Sequence, residues 1–253
     1  MQRLTGGRRT LRVPTLLVVA WVVGLATATA QEDHCPRLPV PVWGAVVTRP
    51  ACLTRAGTQS TEQVVVAARL TEEESFARLV FAEGVSSNWG QEPACARQAH
   101  AILHAIAWGV MNRVRLGQAR AALGTKYGAG IRGVIFKPGQ FNPAVSARSR
   151  FAPVFLCPTA HPAWAQYWST AVAAVWHAQH APEQNPFLLT AWEKRTGLSL
   201  VAYFYYPLSV QAPPPPPAWA ETSERSTTFV RDVTVCGTKL NTTCIWFFQT
   251  PPD

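Results

Sequence analysis

Aspartate is scarce in this chain of 253 residues, standing only at positions 33, 232 and 253, outside the stretch expected to form the core. A Ser/His/Asp relay therefore has no acid to orient its imidazole. Acidic residues of either kind are absent from Pro93 to Pro182. No C-x-x-C pair occurs among the six cysteines, which argues against a structural zinc site. Nothing resembles a phosphate-cradling glycine loop, and there are no internal repeats. The longest leading apolar run, Val13 to Leu25, is too short to span a bilayer comfortably, so no stable membrane anchor is expected.

That run instead reads as the centre of an export signal. Arg3, Arg8, Arg9 and Arg12 precede it and Ala28-Thr29-Ala30 follows, a small-x-small cleavage pattern that makes residues 1–30 a signal peptide. The Arg8-Arg9 pair fits a general secretion signal better than a twin-arginine one. Destination is the periplasm or the cell wall and beyond. In an exported chain, Cys35, Cys52, Cys95, Cys157, Cys236 and Cys244 imply disulfides. The expected pairing is between neighbours: Cys35 with Cys52, Cys95 with Cys157, and Cys236 with Cys244.

The net charge is +9, and the four leader arginines account for part of it, leaving +5. Nine cations, Arg97, Arg113, Arg115, Arg120, Lys126, Arg132, Lys137, Arg148 and Arg150, fall in the acid-free stretch. Such a field favours a polyanionic partner. The compartment favours anionic wall polymer and argues against nucleic acid.

Thr71 to Glu83 organises the chain. Thr71 followed by Glu74 is a capping-box signature, and Glu72, Glu73 and Glu74 complement the positive end of a helix starting there. Phe76, Leu79, Val80 and Glu83 then share one helical face, so an apolar stripe ends in a carboxylate. Burial raises the proton affinity of such a group, as a general acid at neutral pH requires. Gly84 suits the helix end.

A second long helix is expected from about Ala94 to Arg115, apolar on more than one side, and a third from Trp164 to His180. Residues 198–206 are β-prone. Pro213 to Pro217 reads as a stiff spacer, and Phe229–Val235 with Cys244–Phe248 as a disulfide-pinned hairpin. The fold class is mainly α with a small β part. The expected divisions are a lead-in over 31–66, a principal domain over 67–210, a Pro-rich linker over 211–220 and a hairpin tail over 221–253.

His100 and His104 stand one turn apart, and His177 and His180 could join them if their helices abut. The Glu that a zinc protease places beside the first His is replaced by Ala101, and no metal is expected. A two-carboxylate glycosidase would need Glu92, Glu183 or Glu193 beside Glu83. An enzyme working with one acid is the more natural reading, and no cofactor is required.

Three segments carry a resemblance: Phe76-Ala-Arg-Leu-Val-Phe-Ala-Glu83-Gly, Ala107-Trp-Gly-Val-Met-Asn112-Arg113-Val and Gly133-Val-Ile-Phe-Lys-Pro-Gly-Gln140-Phe141. Their order and spacing resemble the SleB-type cell-wall hydrolase family, over about residues 70–207. The resemblance implies a lysozyme-like, mainly α domain cleaving the MurNAc–GlcNAc β-1,4 bond of peptidoglycan, as a lytic transglycosylase or muramidase. It maps the family's glutamate onto Glu83, Gln140 and Phe141 onto a loop bordering the cleft, and Asn112-Arg113 onto the central helix. Trp89, Tyr203 and Tyr205 are expected to stack on sugars. Where the family usually has Ala-Thr-His-Phe-Tyr, this chain has Val201-Ala202-Tyr203-Phe204-Tyr205, so Tyr203 replaces a histidine with a phenol that does not titrate near neutrality. The alternative reading is a non-catalytic peptidoglycan-binding module of an envelope assembly.

Overall fold

A computed structural model describes residues 35–36, 50–89, 91–208 and 227–251. The signal peptide, most of the lead-in and the Pro-rich linker lie outside the described residues. Helix α1 (Thr61–Ala67) begins with a full capping box between Ser60 and Gln63, and α2 (Glu72–Ser86) follows from Thr71. Thr71 Oγ1 accepts from the Glu74 N–H at 3.1 Å. The reciprocal half of that box is not made, because the Glu74 carboxylate pairs instead with Arg78 one turn on.

The expected second helix is broken at Gln98 into α3 (Pro93–Arg97) and α4 (Ala99–Ala119). Four short helices follow: α5 (Ala121–Tyr127), α6 (Gly130–Ile135), α7 (Asn142–Val145) and α8 (Ala152–Leu156). Gly128 separates α5 from α6 at φ +105°, and a Cβ there would meet the Gly133 carbonyl oxygen at 2.1 Å, so only glycine fits this turn. The expected third helix also divides, into α9 (Pro162–Ala165) and α10 (Trp168–His180). A 3₁₀ turn (Pro182–Gln184) and the capped helix α11 (Ala191–Thr196) lead into strand β1 (Val201–Tyr205).

Helices α2, α4 and α10 pack on one another and form the core. Burial extends around most of α2, from Glu74 through Ser86, so its apolar character is not confined to one stripe. Gly84 lies inside this helix rather than at its end. A Cβ on it would approach Leu103 Cδ2 at 2.7 Å and the Trp89 ring at 2.8 Å, so its bare backbone is what lets α4 and Trp89 close on α2. Arg78, fully buried, ties three segments together: its guanidinium donates to the Leu156 carbonyl at 2.7 Å, the Ala51 carbonyl at 2.7 Å and Glu74 at 2.6 Å.

The tail does not stand apart as a hairpin. Strands β2 (Thr228–Val230), β3 (Thr234–Val235), β4 (Thr238–Lys239) and β5 (Trp246–Gln249) complete the β part. β5 is the middle strand of an antiparallel sheet ordered β1-β5-β2, with Phe204 opposite Phe247 and Tyr205 opposite Trp246. β3 and β4 form a separate two-stranded ribbon. The tail thus completes a sheet with the principal helical segment, and all described residues belong to the unit Asp33–Asp253.

The cysteine pairing differs accordingly. Cys35 bonds Cys236, Cys52 bonds Cys157 and Cys95 bonds Cys244, at sequence separations of 201, 105 and 149. Neighbour pairing fails because β5 is laid beside β1, which carries Cys244 to α3. Likewise, the Leu53 N–H donates to the Leu156 carbonyl at 3.0 Å, and this contact aligns Cys52 with Cys157. Among the described residues no helix is long and apolar enough to cross a membrane.

Candidate functional site

Glu83 lies in the last part of α2 and is 6% exposed. Burial pushes its carboxyl up to about 7, against smaller opposing effects of the Tyr206 hydroxyl and the Arg113 guanidinium, both of which favour the charged form. Tyr206 feels the same pocket in reverse: burial first, and then the Glu83 carboxylate, raise its phenol well above the ordinary value. The Tyr206 oxygen makes no hydrogen bond of good geometry, so it is a buried polar atom facing an acid without being locked to it. Around neutral pH this carboxyl divides between its two protonation states, and it can release and recover a proton.

Arg113 is the cation of the site. Its Nε donates to the Ala202 carbonyl, its Nη1 donates to Gln140 Oε1 at 2.7 Å, and its guanidinium lies 4.6 Å from the centre of the Phe141 ring. Gln140 and Phe141 thus meet the arginine that acts on Glu83. Phe141 does so from the core, at 1% exposure, so it supports the guanidinium and presents no face to a ligand. The loop before it has a second side: Pro138 and Gly139, with Phe136, Asn142 and Arg148, line a surface depression of about 560 Å³.

Asn112 is structural. Its Nδ2 donates to the Val201 carbonyl at 2.8 Å, and its Oδ1 accepts from Asn185 Nδ2 at 2.8 Å. With Arg113 it clamps β1 onto α4, which is how adjacent helical residues position the strand bearing Tyr203. Trp89 is also placed differently from expectation. It is buried against Gly84, Phe81 and Tyr167 and offers no open ring for a sugar. Its packing closes the end of α2 that carries Glu83.

Tyr203 is half-buried. Its hydroxyl lies 3.4 Å from that of Tyr127, whose own phenol is pushed up to about 12 by burial, and Lys126 stands 5.3 Å from the Tyr203 ring. Tyr205 is buried in a satellite cluster with Phe248, flanked by Tyr203, Phe229 and Trp246. Sequence reasoning missed Tyr206, Tyr127 and the tail aromatics at this edge. Tyr206 stands one position beyond the run Val201–Tyr205 that carries the resemblance, and local spacing alone places Trp246 and Phe229 in a hairpin tail.

The three glutamates weighed as partners of Glu83 are engaged elsewhere. Glu193 is fully buried and accepts from the backbone N–H groups of Leu189, Thr190 and Leu200 at 3.1, 2.8 and 2.8 Å. Glu92 caps α3 through the Ala94 N–H, and Glu183 is exposed and acts on Arg115. Among the described residues, no carboxylate is one of the groups that shift Glu83. The four histidines do not converge: His100 meets Thr170, His180 stacks on Trp176, and only His104 and His177 face each other, with ring centres 5.8 Å apart.

The chain matches no family, no curated protein and no solved structure.

Proposed function

We propose that this chain is an exported enzyme that cleaves the MurNAc–GlcNAc β-1,4 bond of peptidoglycan, with Glu83 as its single general acid/base and a lysozyme-like domain around it. The observation that carries this reading is a buried carboxyl, with no second carboxylate acting on it among the described residues, that holds its proton up to about 7 beside Arg113. Protonated Glu83 would deliver its proton to the bridging oxygen as the C1–O bond breaks. The resulting carboxylate, its charge favoured by Arg113, would then take a proton from the nucleophile. In the transglycosylase route that nucleophile is the C6 hydroxyl of the same sugar, whose oxygen bonds to C1 and closes the 1,6-anhydro ring. In the hydrolytic route it is water. Neither route requires a second carboxylate in the one-acid form, which agrees with the placement of Glu92, Glu183 and Glu193.

The half-buried Tyr203 and the neighbouring Trp246 and Phe229 are suited to stack on sugar rings. The cations of the acid-free stretch are suited to an anionic wall.

A second reading, a glycan-binding module without turnover, is favoured by one feature: Glu83 is only 6% exposed, so a glycan reaches it only if the surrounding side chains move. Digestion of purified peptidoglycan by the mature protein and by Glu83→Gln, with the fragments weighed, separates these readings. Anhydro-muropeptides from the native protein alone support the transglycosylase, and fragments heavier by one water support the muramidase. Binding by both proteins with cleavage by neither supports the module.

A further inference from the structure

The Cys35–Cys236 disulfide sits over a small cavity that the glycan-cleaving site does not use. The cavity, about 190 Å³, is lined by Pro36, His104, Trp108, His177, Gln184 and Cys236, among others. His104 is 2% exposed, and its Nε2 is buried without a hydrogen-bond partner. An unpartnered nitrogen in such a place is costly unless something fills the site. The sulfurs of Cys35 and Cys236 and one ring nitrogen of His104 all lie within 4.8 Å of one another. His177, across from His104, has its Nδ1 at 2.8 Å from the Ala173 carbonyl oxygen. A carbonyl only accepts, so Nδ1 carries the proton and Nε2 keeps its lone pair. A ligating imidazole anchored through its second nitrogen has this arrangement.

We infer that, when the Cys35–Cys236 bond is open, the two cysteines and His104 bind zinc(II), with His177 as the fourth donor from the same cavity. Two thiolates and two imidazoles around one ion form a donor set that suits tetrahedral zinc. The chemistry balances with a dithiol as reductant. It supplies two electrons and two protons, becomes a disulfide itself, and leaves Cys35 and Cys236 as thiols. Zinc(II) then displaces both thiol protons to solvent and binds the thiolates. The metal would keep residue 35 joined to the tail, 201 residues away, before the disulfide forms or after it is reduced.

Cobalt(II) added to the full mature chain tests this, because tetrahedral cobalt–thiolate sites have strong visible bands and a thiolate charge-transfer band. Three samples are compared: the oxidised chain, the phosphine-reduced chain, and a reduced Cys35→Ser/Cys236→Ser double variant. Native mass counts the bound ions, and circular dichroism checks that the helices persist. The reduced wild type should take up one cobalt with tetrahedral bands, and zinc(II) should displace it. The double variant and a volume-keeping His104→Gln variant should each bind more than about 100-fold more weakly, beyond the loss typical of changing an outer-shell partner. No cobalt on the reduced, folded wild type would overturn the inference. So would equal binding by the oxidised chain, or by the double variant, whose remaining four cysteines would then be the donors.

Discussion

Arg113 and Glu83 are buried together, and each shifts the other's proton equilibrium: the guanidinium favours the carboxylate, and the carboxylate favours the guanidinium. Burial outweighs that attraction for Glu83, whose carboxyl still holds its proton to about 7. The pair is thus balanced between the two protonation states of the carboxyl near neutral pH. A fully compensated carboxylate could not donate near neutrality, and an isolated one could not release its proton.

Glu83 should make stability depend on pH with a definite sign. Unfolded, it loses its proton near 4.5; folded, it keeps it until about 7. Over that interval the folded state binds more protons, so the contribution of Glu83 falls as pH rises and is level above about 7. The full difference is on the order of 3 kcal/mol. Urea unfolding of wild type and Glu83→Gln should therefore agree most closely near pH 4, with the variant progressively the more stable up to about pH 7 and its advantage level beyond. A constant difference across that range would mean that Glu83 is not desolvated.

Replacing Arg113 by Met should drive the Glu83 midpoint above its native value, because the main cation favouring the carboxylate is gone. The Ala202 carbonyl and Gln140 would lose their donor as well, at a cost of about 1–3 kcal/mol. Carbon-detected NMR titration of the glutamate carboxyls reads the midpoint without reference to any activity. Arg113→Lys should show a smaller shift, since it keeps the charge and loses the fork geometry. An unmoved midpoint in the Met variant would remove Arg113 from the electrostatics of the site.

Much of this core could be read from residue spacing. Thr71 caps its helix as expected, and Glu83 is buried as its place after Phe76, Leu79 and Val80 implied. What escaped depends on contacts between distant segments. Gly84 looked like a helix stop because a glycine after an apolar run usually is one; its need arises from Trp89 and Leu103, which no local pattern connects to it. The Cys95–Cys244 bridge follows from β5 entering the sheet between β1 and β2, a choice of strand order that alternation within β5 cannot encode. Asn112 read as a site residue, yet the carbonyl that claims it, Val201, is 89 positions away.

Gly84→Ala weighs two opposed effects. Alanine favours the helix by roughly 0.5–1 kcal/mol over glycine. Its Cβ would press on Leu103 and Trp89 at 2.7 and 2.8 Å, both buried and with little room to move. Overpacking of that kind costs about 1–3 kcal/mol, so the net change should be destabilising. A melting temperature lowered by several degrees is expected, at about 2–4 °C per kcal/mol for a chain of this size. A variant as stable as wild type would show that the α2–α4 contact is looser than its geometry.

Glu193 provides the control for the role proposed for Glu83. Both it and Glu83 are buried glutamates, but the Glu193 carboxyl oxygens accept hydrogen bonds from the backbone N–H groups of Leu189, Thr190 and Leu200. Glutamine at that position keeps one acceptor and turns an amide N–H₂ toward groups that themselves donate. Glu193→Gln should therefore lose about 1–3 kcal/mol of stability, the cost of leaving a buried donor without its acceptor. Under the proposed function, its peptidoglycan cleavage per folded molecule should be unchanged. Glu83→Gln should do the reverse, gaining stability above pH 7 while losing cleavage by at least about 100-fold. Denaturant melts and muropeptide release measured on the same two variants give four outcomes. Loss of cleavage in folded Glu193→Gln would place a second carboxylate in the reaction and replace the one-acid mechanism with a two-carboxylate one.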